Sequence, residues 1–136
     1  MKILHLSEPK HGWINVSFGE MPDAFTLTVS DVPNDCLRDL AAAAASLLRH
    51  STRETIGFPL EPEVARAELH REGDSVRIIV RHPGQDDPAF DATFPLHAFA
   101  RRLRFELLRI RSRYPADDGW WPFPEHEVAN LALRTG

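Results

Sequence analysis

The chain has 136 residues, which suits one domain around one core, so residues 1–136 are expected to fold as a single unit. Hydrophobic residues make up 43% and charged residues 26%, values that exclude the disordered and fibrous classes. A formal net charge of -4 excludes a surface that is wholly a nucleic-acid footprint, because such surfaces are strongly basic.

The single cysteine, Cys36, excludes an intramolecular disulfide and the disulfide-rich secreted scaffolds. The opening MKILHLSEPKHGW lacks the unbroken apolar stretch of roughly 7–15 residues that a signal peptide requires. No run approaches the roughly 18 apolar residues of a membrane-spanning helix. Together these features predict a reducing, cytoplasmic setting.

The first third alternates. Residues 2–6 suit a short strand. In GWINVSFGE, Ile14, Val16 and Phe18 share one face, and in AFTLTVSD so do Phe25, Leu27 and Val29. Period-two patterning with β-branched and aromatic residues predicts two half-buried strands joined as an antiparallel hairpin. The period then changes. After Pro33, residues Leu37, Leu40, Ala41, Ala44, Leu47 and Leu48 recur at helical spacing, with Asn34 or Asp35 as N-cap, predicting a helix over about 34–50. Its alanines leave a thin face that can lie close to a sheet.

Residues 55–60 form a short strand that Pro59 confines to an edge. Residues 65–72 and 75–81 flank Gly73-Asp74, which suits a two-residue type II′ turn. That register sets Leu69 opposite Ile78, Ala67 opposite Val80 and His70 opposite Arg77, with Glu68 diagonal to Arg77 and Arg81. Phe90, Ala92 and Phe94 give a last strand. A long helix from about Leu96 to Tyr114 gathers Leu96, Phe99, Ala100, Leu103, Leu107, Ile110 and Tyr114 within an arc of about 100°. Pro115 ends it, and Pro124 opens a short terminal helix, EHEVANLALR. The expected architecture is α+β: one antiparallel sheet of about five to seven strands, with two main helices and the short C-terminal helix packed on one face. The opposite face would be polar, carrying Thr26, Thr28, Glu68, His70 and Arg77.

Motifs that carry chemistry are sparse. None of the seven histidines falls at metal-ligand spacing such as HxH or HExxH, and Cys36 has no cysteine nearby, so neither metal nor cofactor is expected. Cys36 sits in the first turn of a helix, where a thiol can be activated, yet a small apolar core residue explains it as well. No serine has a GxSxG context, and neither GxxxxGK[ST] nor GxGxxG occurs. The carboxylate pairs Asp86-Asp87 and Asp117-Asp118 lie beside Pro or Gly and read as solvated turns. No catalytic residue is assigned; an enzyme would need a site assembled from residues distant in sequence.

Six arginines between 101 and 113 form the strongest local charge signal. Arg101, Arg104, Arg109 and Arg111 are the candidate phosphate contacts if the chain binds a nucleic acid. The six arginines spread over more than half of the helix circumference, however, and only Phe105 offers a stacking ring there. Arginine is also a good helix former, and the surplus of Asp and Glu supplies partners, so an ion-paired solvent face is the simpler expectation. Phe105 and Leu108 point away from the main apolar arc, which suggests a cover by the C-terminal segment or by a second subunit in a homodimer.

The segment GWWPFPEHE at 119–127 concentrates bulky aromatic residues near the end of the chain. Adjacent side chains of an extended segment point in opposite directions. One of Trp120 and Trp121 is therefore expected to plug the core, and the other to stand out as an interface anchor.

Several stretches together resemble a loose group of small bacterial proteins. They are GWINVSFGE, the SDVPNDCLRDL entry to a helix, Glu61-Pro62-Glu63, and the terminal W-x-FP before a short helix with spaced leucines. Some of that group are similar to immunity proteins of polymorphic toxin systems. The resemblance lies in the arrangement along most of the chain and carries no catalytic residues. It implies a small cytoplasmic α+β binding protein that neutralises a partner toxin by covering its active site. The candidate partner surface is Trp13, Trp120, Trp121, Asp86, Asp87, Asp117 and Asp118, whose acidic groups would suit a basic partner.

Overall fold

A computed structural model describes residues 3–20, 22–115 and 119–135. The chain is α+β, with seven strands and three α-helices among the described residues. The first hairpin region gives β1 (Leu4–Leu6), β2 (Trp13–Phe18) and β3 (Phe25–Ser30), an antiparallel sheet in the order β1-β2-β3. Ile14 faces Val29 and Val16 faces Leu27, so the alternation read from the sequence buries one side of this sheet. On its outer side Ser17 and Thr26 are hydrogen-bonded at 2.8 Å, as are Thr28 and Asn15 at 2.8 Å.

Helix α1 (Cys36–Arg49) follows. Asp35 is the N-cap, its carboxylate accepting the Arg38 N–H at 3.2 Å. Ala41, Ala43, Ala44 and Ala45 are all buried, so α1 is enclosed on more than one side by its neighbours. The second sheet is β4 (Arg53–Pro59), β5 (Val64–Glu72), β6 (Ser75–Arg81) and β7 (Phe90–Pro95), antiparallel in the order β4-β5-β6-β7. The Leu69–Ile78, Ala67–Val80 and His70–Arg77 pairs form as the Gly73-Asp74 turn dictates, with Gly73 at φ 63°. Pro59 ends β4 on the sheet's outer edge, where its missing N–H breaks no ladder.

Two expectations need correction. The strands do not form a single sheet: they form two, of three and four strands. Helix α1 intervenes between β3 and β4, and the two strands touch without a hydrogen-bonded ladder. Asn34 Nδ2 donates to the Gly57 carbonyl at 3.1 Å, so a side chain rather than a strand meets β4 there. The sheets are joined instead by aromatic side chains, with Phe90 stacked on Phe18 at 5.7 Å and on Phe25 at 5.2 Å.

The second correction concerns the charges on the polar face. Glu68 pairs with Arg53 of β4 at 3.3 Å and with His70 at 3.1 Å, while Arg77 grips Asp91 of β7 through two bonds of 2.9 and 2.7 Å. Flanking strands supply Arg53 and Asp91 and β5 itself supplies His70, so the Glu68–Arg77 diagonal is not used, while the His70 bond, with Arg53 and Arg81 adding to it, holds the Glu68 carboxyl below its ordinary range.

Helix α2 (Leu96–Ile110) starts directly after β7, and α3 (Glu125–Thr135) closes the chain. The helix expected to run to Tyr114 ends at Ile110 and tightens into a 3-10 turn over Arg111–Arg113. Tyr114 precedes a proline and is held extended at ψ 136°, which stops the helix one turn early. Leu103, Leu107 and Ile110 of α2 and Val128 and Leu131 of α3 belong to the same buried core as both sheets.

A buried carboxylate locks α2 to β1. Glu106 is fully buried, accepts the Leu6 N–H at 2.8 Å, and meets Arg102 at 3.1 Å, Arg109 at 3.0 Å and His5 at 3.0 Å. Arg102 and Arg109 also donate to the carbonyls of Leu4 and Leu6. The arginines thus satisfy a short strand that has few ladder bonds of its own.

Candidate functional site

Residues 119–124 cross the end of the core through a turn at Gly119, a bend at Trp120 and irregular chain before α3 begins at Glu125, and the two tryptophans part there. Trp120 turns inward and is 5% exposed, whereas Trp121 turns outward and is 41% exposed. Trp121 is fixed by its indole N–H, which donates to the Asp31 carbonyl. Phe123 is half-buried, edge-on to Tyr114 at 5.1 Å, and Arg111 lies over its ring at 5.4 Å. Pro124 then opens α3, and Glu125 in the first turn of that helix pairs with Arg111 at 2.7 Å.

Between this segment and the first turn of α1 lies a cleft of about 630 Å³. Trp121 and Phe123 supply its aromatic lining, and Asp35, Asp39, Glu125 and Glu127 its carboxyl groups. Asp39 accepts from Asn34 Nδ2 at 2.9 Å, and Arg38 reaches Glu127 at 3.6 Å. Both carboxylates stand in first turns, where the partial positive charge of a helix N-terminus favours them.

Asp35 is different. Burial pushes its carboxyl above the ordinary range, and the neighbouring Asp39 adds to this, against the opposing N–H groups of Arg38 and Leu37. A raised folded-state value means that its protonation favours the fold. That contribution is complete below the ordinary carboxyl value and is lost as pH rises through the raised one. Asp35→Asn keeps the cap without the buried charge, so at pH 7 it should match or exceed the parent stability. Asp35→Ala should lose about 1 kcal/mol. Urea unfolding of both variants at pH 7 checks the order; an asparagine variant as weak as the alanine one would overturn it.

Two buried polar atoms lie close to this cap. Among the described residues the Tyr114 hydroxyl meets no hydrogen-bond partner, and the Trp120 Nε1 makes no bond of full geometry, although its N–H lies near enough to Asp35 to favour the carboxylate. Burial raises the Tyr114 and Cys36 values beyond the ordinary range, with Asp35 adding to both. The Cys36 thiol is fully buried, so its place at a helix N-terminus does not yield a reactive thiolate.

The residues singled out from the sequence do not all meet. Trp13 is exposed and pairs with Ser30, and Asp31 N–H donates to the Gly12 carbonyl at 3.0 Å. Trp13 and Trp121 therefore stand at the same end of the three-stranded sheet. Asp86 and Asp87 are exposed on the loop between β6 and β7, away from that cleft's lining. Asp117 and Asp118 lie outside the described residues. Trp120 belongs to the core rather than to a surface.

Of the arginines proposed for phosphate, Arg109 is engaged by Glu106 and Arg111 by Glu125 and Phe123. Arg101 is exposed, and Arg104 is half-buried with its Nε unpartnered. Phe105 is 53% exposed with the Arg102 guanidinium over its ring at 4.9 Å, and Leu108 is exposed beside it. Among the described residues no group of three or more His, Cys, Asp and Glu side chains is placed to hold a metal ion, and no helix is long and apolar enough to cross a membrane.

Sequence reasoning missed Arg38, Asp39, Glu125, Glu127 and Glu106. Nothing local separates the first four from ordinary helix-start residues. Glu106 carried a signal: an acidic residue beside Leu103, Leu107 and Ile110, with arginines four before and three after it. No protein-family model, curated protein or solved structure matches this chain.

Proposed function

We propose that the chain is a non-enzymatic protein-binding module of the bacterial cytoplasm that engages a basic protein partner through the Trp121 face. The observation that carries this reading is an exposed tryptophan, fixed in place by its own N–H, at the mouth of a carboxylate-lined cleft. A rigid, partly exposed tryptophan loses little entropy on docking and is the commonest kind of interface anchor. The surrounding acidic groups and the net charge of -4 would steer a basic partner. The resemblance to immunity proteins supports a toxin as that partner.

The test is capture from the native host with the tagged chain, after nuclease treatment, using the parent and Trp121→Ala side by side. One stoichiometric protein retained by the parent and lost by the variant is the expected result. A parent that retains no protein, or a partner indifferent to the substitution, sinks the reading.

A second reading has its own observation. Arg101, Arg104 and the exposed Phe105 lie on a solvent face of α2, a combination suited to a nucleic-acid phosphate and a stacked base. The binding-module reading predicts that Arg101→Glu with Arg104→Glu leaves partner capture unchanged. Salt-sensitive RNA or DNA binding by the parent, abolished in this double variant, would favour the second reading instead.

A further inference from the structure

We propose that the solvent face of α2 is a docking surface for an anionic lipid bilayer, on which the chain rests from one side. The inference goes beyond the Trp121 reading and does not depend on it. It starts from one stripe of side chains.

Arg101, Arg104, Phe105 and Leu108 stand at i, i+3, i+4 and i+7 of α2, so they fall within an arc of about 100°. The stripe points away from the face that Phe99, Leu103, Leu107 and Ile110 bury. Phe105 and Leu108 are exposed large hydrophobic residues on it, side by side. The other four arginines of α2 and its terminal turn have acidic partners. Glu106 holds Arg102 and Arg109, Glu125 holds Arg111, and Glu8 holds Arg113. Arg101 and Arg104 differ. Among the described residues neither guanidinium makes an ion pair or a hydrogen bond, and the Arg104 Nε is withdrawn from water without an acceptor. Six guanidinium groups thus meet three carboxylates, an excess of three positive charges along α2 in a chain whose net charge is -4. That asymmetry turns this side of the chain toward an anionic surface.

Charge and apolar area together select the occupant. A second copy docked on the stripe about a two-fold axis would set Arg101 and Arg104 against their own counterparts, with no carboxylate of the stripe between them. A nucleic acid would use the arginines but gains nothing from Leu108, and Arg102 already covers one face of the Phe105 ring. The boundary of an anionic bilayer uses all four side chains. Lipid phosphates meet the guanidinium forks, and the Phe and Leu side chains sink between the headgroups. A single exposed helix is a convex ridge, which a soft surface receives without a preformed groove.

The test is co-sedimentation of the purified chain with vesicles of phosphatidylglycerol and phosphatidylcholine in equal parts, and with vesicles of phosphatidylcholine alone. The parent should sediment with the anionic vesicles, stay in solution with the neutral ones, and be released as salt is raised. Arg101→Ala with Arg104→Ala should weaken binding about twentyfold, near fivefold for each arginine. Arg101→Ala alone, at an exposed position, should lose about fivefold and serves if the Arg104 substitution disturbs packing. Phe105→Ala should weaken binding several-fold with an unchanged salt dependence, because it removes apolar area and no charge. Excess glycerol phosphate should not displace the chain, since a free headgroup offers no apolar layer. Urea midpoints close to the parent's report that the variants fold. A parent that stays in solution with both vesicles, or sediments equally with both, overturns the docking face. So does binding that survives the arginine substitutions or Phe105→Ala, or that glycerol phosphate reverses. An RNA oligomer bound by the parent in place of the anionic vesicles would overturn it in favour of nucleic acid.

Discussion

Glu106→Ala is expected to cost about 3 kcal/mol, read as a lower urea midpoint at pH 7 with an unchanged slope. Removing one member of a buried ionic group typically costs about 3–5 kcal/mol, because the remaining charges stay desolvated. The lower end applies because Arg102 and Arg109 are each partly exposed and can recover water. The same substitution leaves the Leu6 N–H without its acceptor, which adds to the loss. Glu106→Gln keeps an acceptor for Leu6 and should fall between the two. A loss below about 1 kcal/mol for Glu106→Ala would show that β1 is held by packing alone.

The pH dependence gives the prediction a second readout. Burial alone would raise the Glu106 carboxyl, but bonds from Arg109 and from the Leu6 N–H outweigh it and hold the group below the ordinary carboxyl range. A depressed folded value contributes stability that is present above the unfolded value near 4.5 and is lost as pH falls through the folded one. The parent should therefore weaken on acidification in that window more steeply than Glu106→Ala. Asp35 works in the opposite sense, so a Glu106→Ala protein should show the flatter acid limb that Asp35 imposes.

Trp120→Ala and Trp121→Ala should separate stability from binding. Trp120 belongs to the buried core, so its truncation should cost about 3–5 kcal/mol in unfolding experiments. Trp120→Phe should recover much of this, because it keeps most of the buried ring and deletes only an indole N–H that makes no bond of full geometry. Trp121→Ala should cost about 1 kcal/mol or less in stability, since an exposed ring and one hydrogen bond are removed. Its effect on the partner complex should reach about 2 kcal/mol or more, roughly thirtyfold in Kd. Calorimetric binding and urea unfolding of the two variants give the four numbers. Equal effects on binding would mean that the segment acts as a clasp and that Trp121 is no anchor.

The candidate site was legible in one respect. Adjacent tryptophans were expected to diverge, and they do, at a bend rather than in an extended run; which of them turned inward was open. The cleft was not legible. Arg38 and Asp39 lie some 85 residues before Glu125 and Glu127, and nothing near either pair announces the other. The arginines of α2 show the same limit: Arg109 faces a buried carboxylate and Arg111 an aromatic ring, while Arg101, with a similar local context, faces solvent.

By itself the sequence determined the strands, the helices, their buried faces and the register of the β5–β6 hairpin. These depend on periodicity and on turn geometry, which act over a few residues. Only the tertiary structure decided that β3 and β4 belong to different sheets, that Glu106 lies fully buried between two arginines, and that Trp121 overhangs an acidic cleft. Those outcomes depend on which edges and faces meet after the chain has crossed over itself. A strand's hydrogen-bonding edge carries no side-chain pattern, and a charged residue's partner is set by distance in space rather than along the chain.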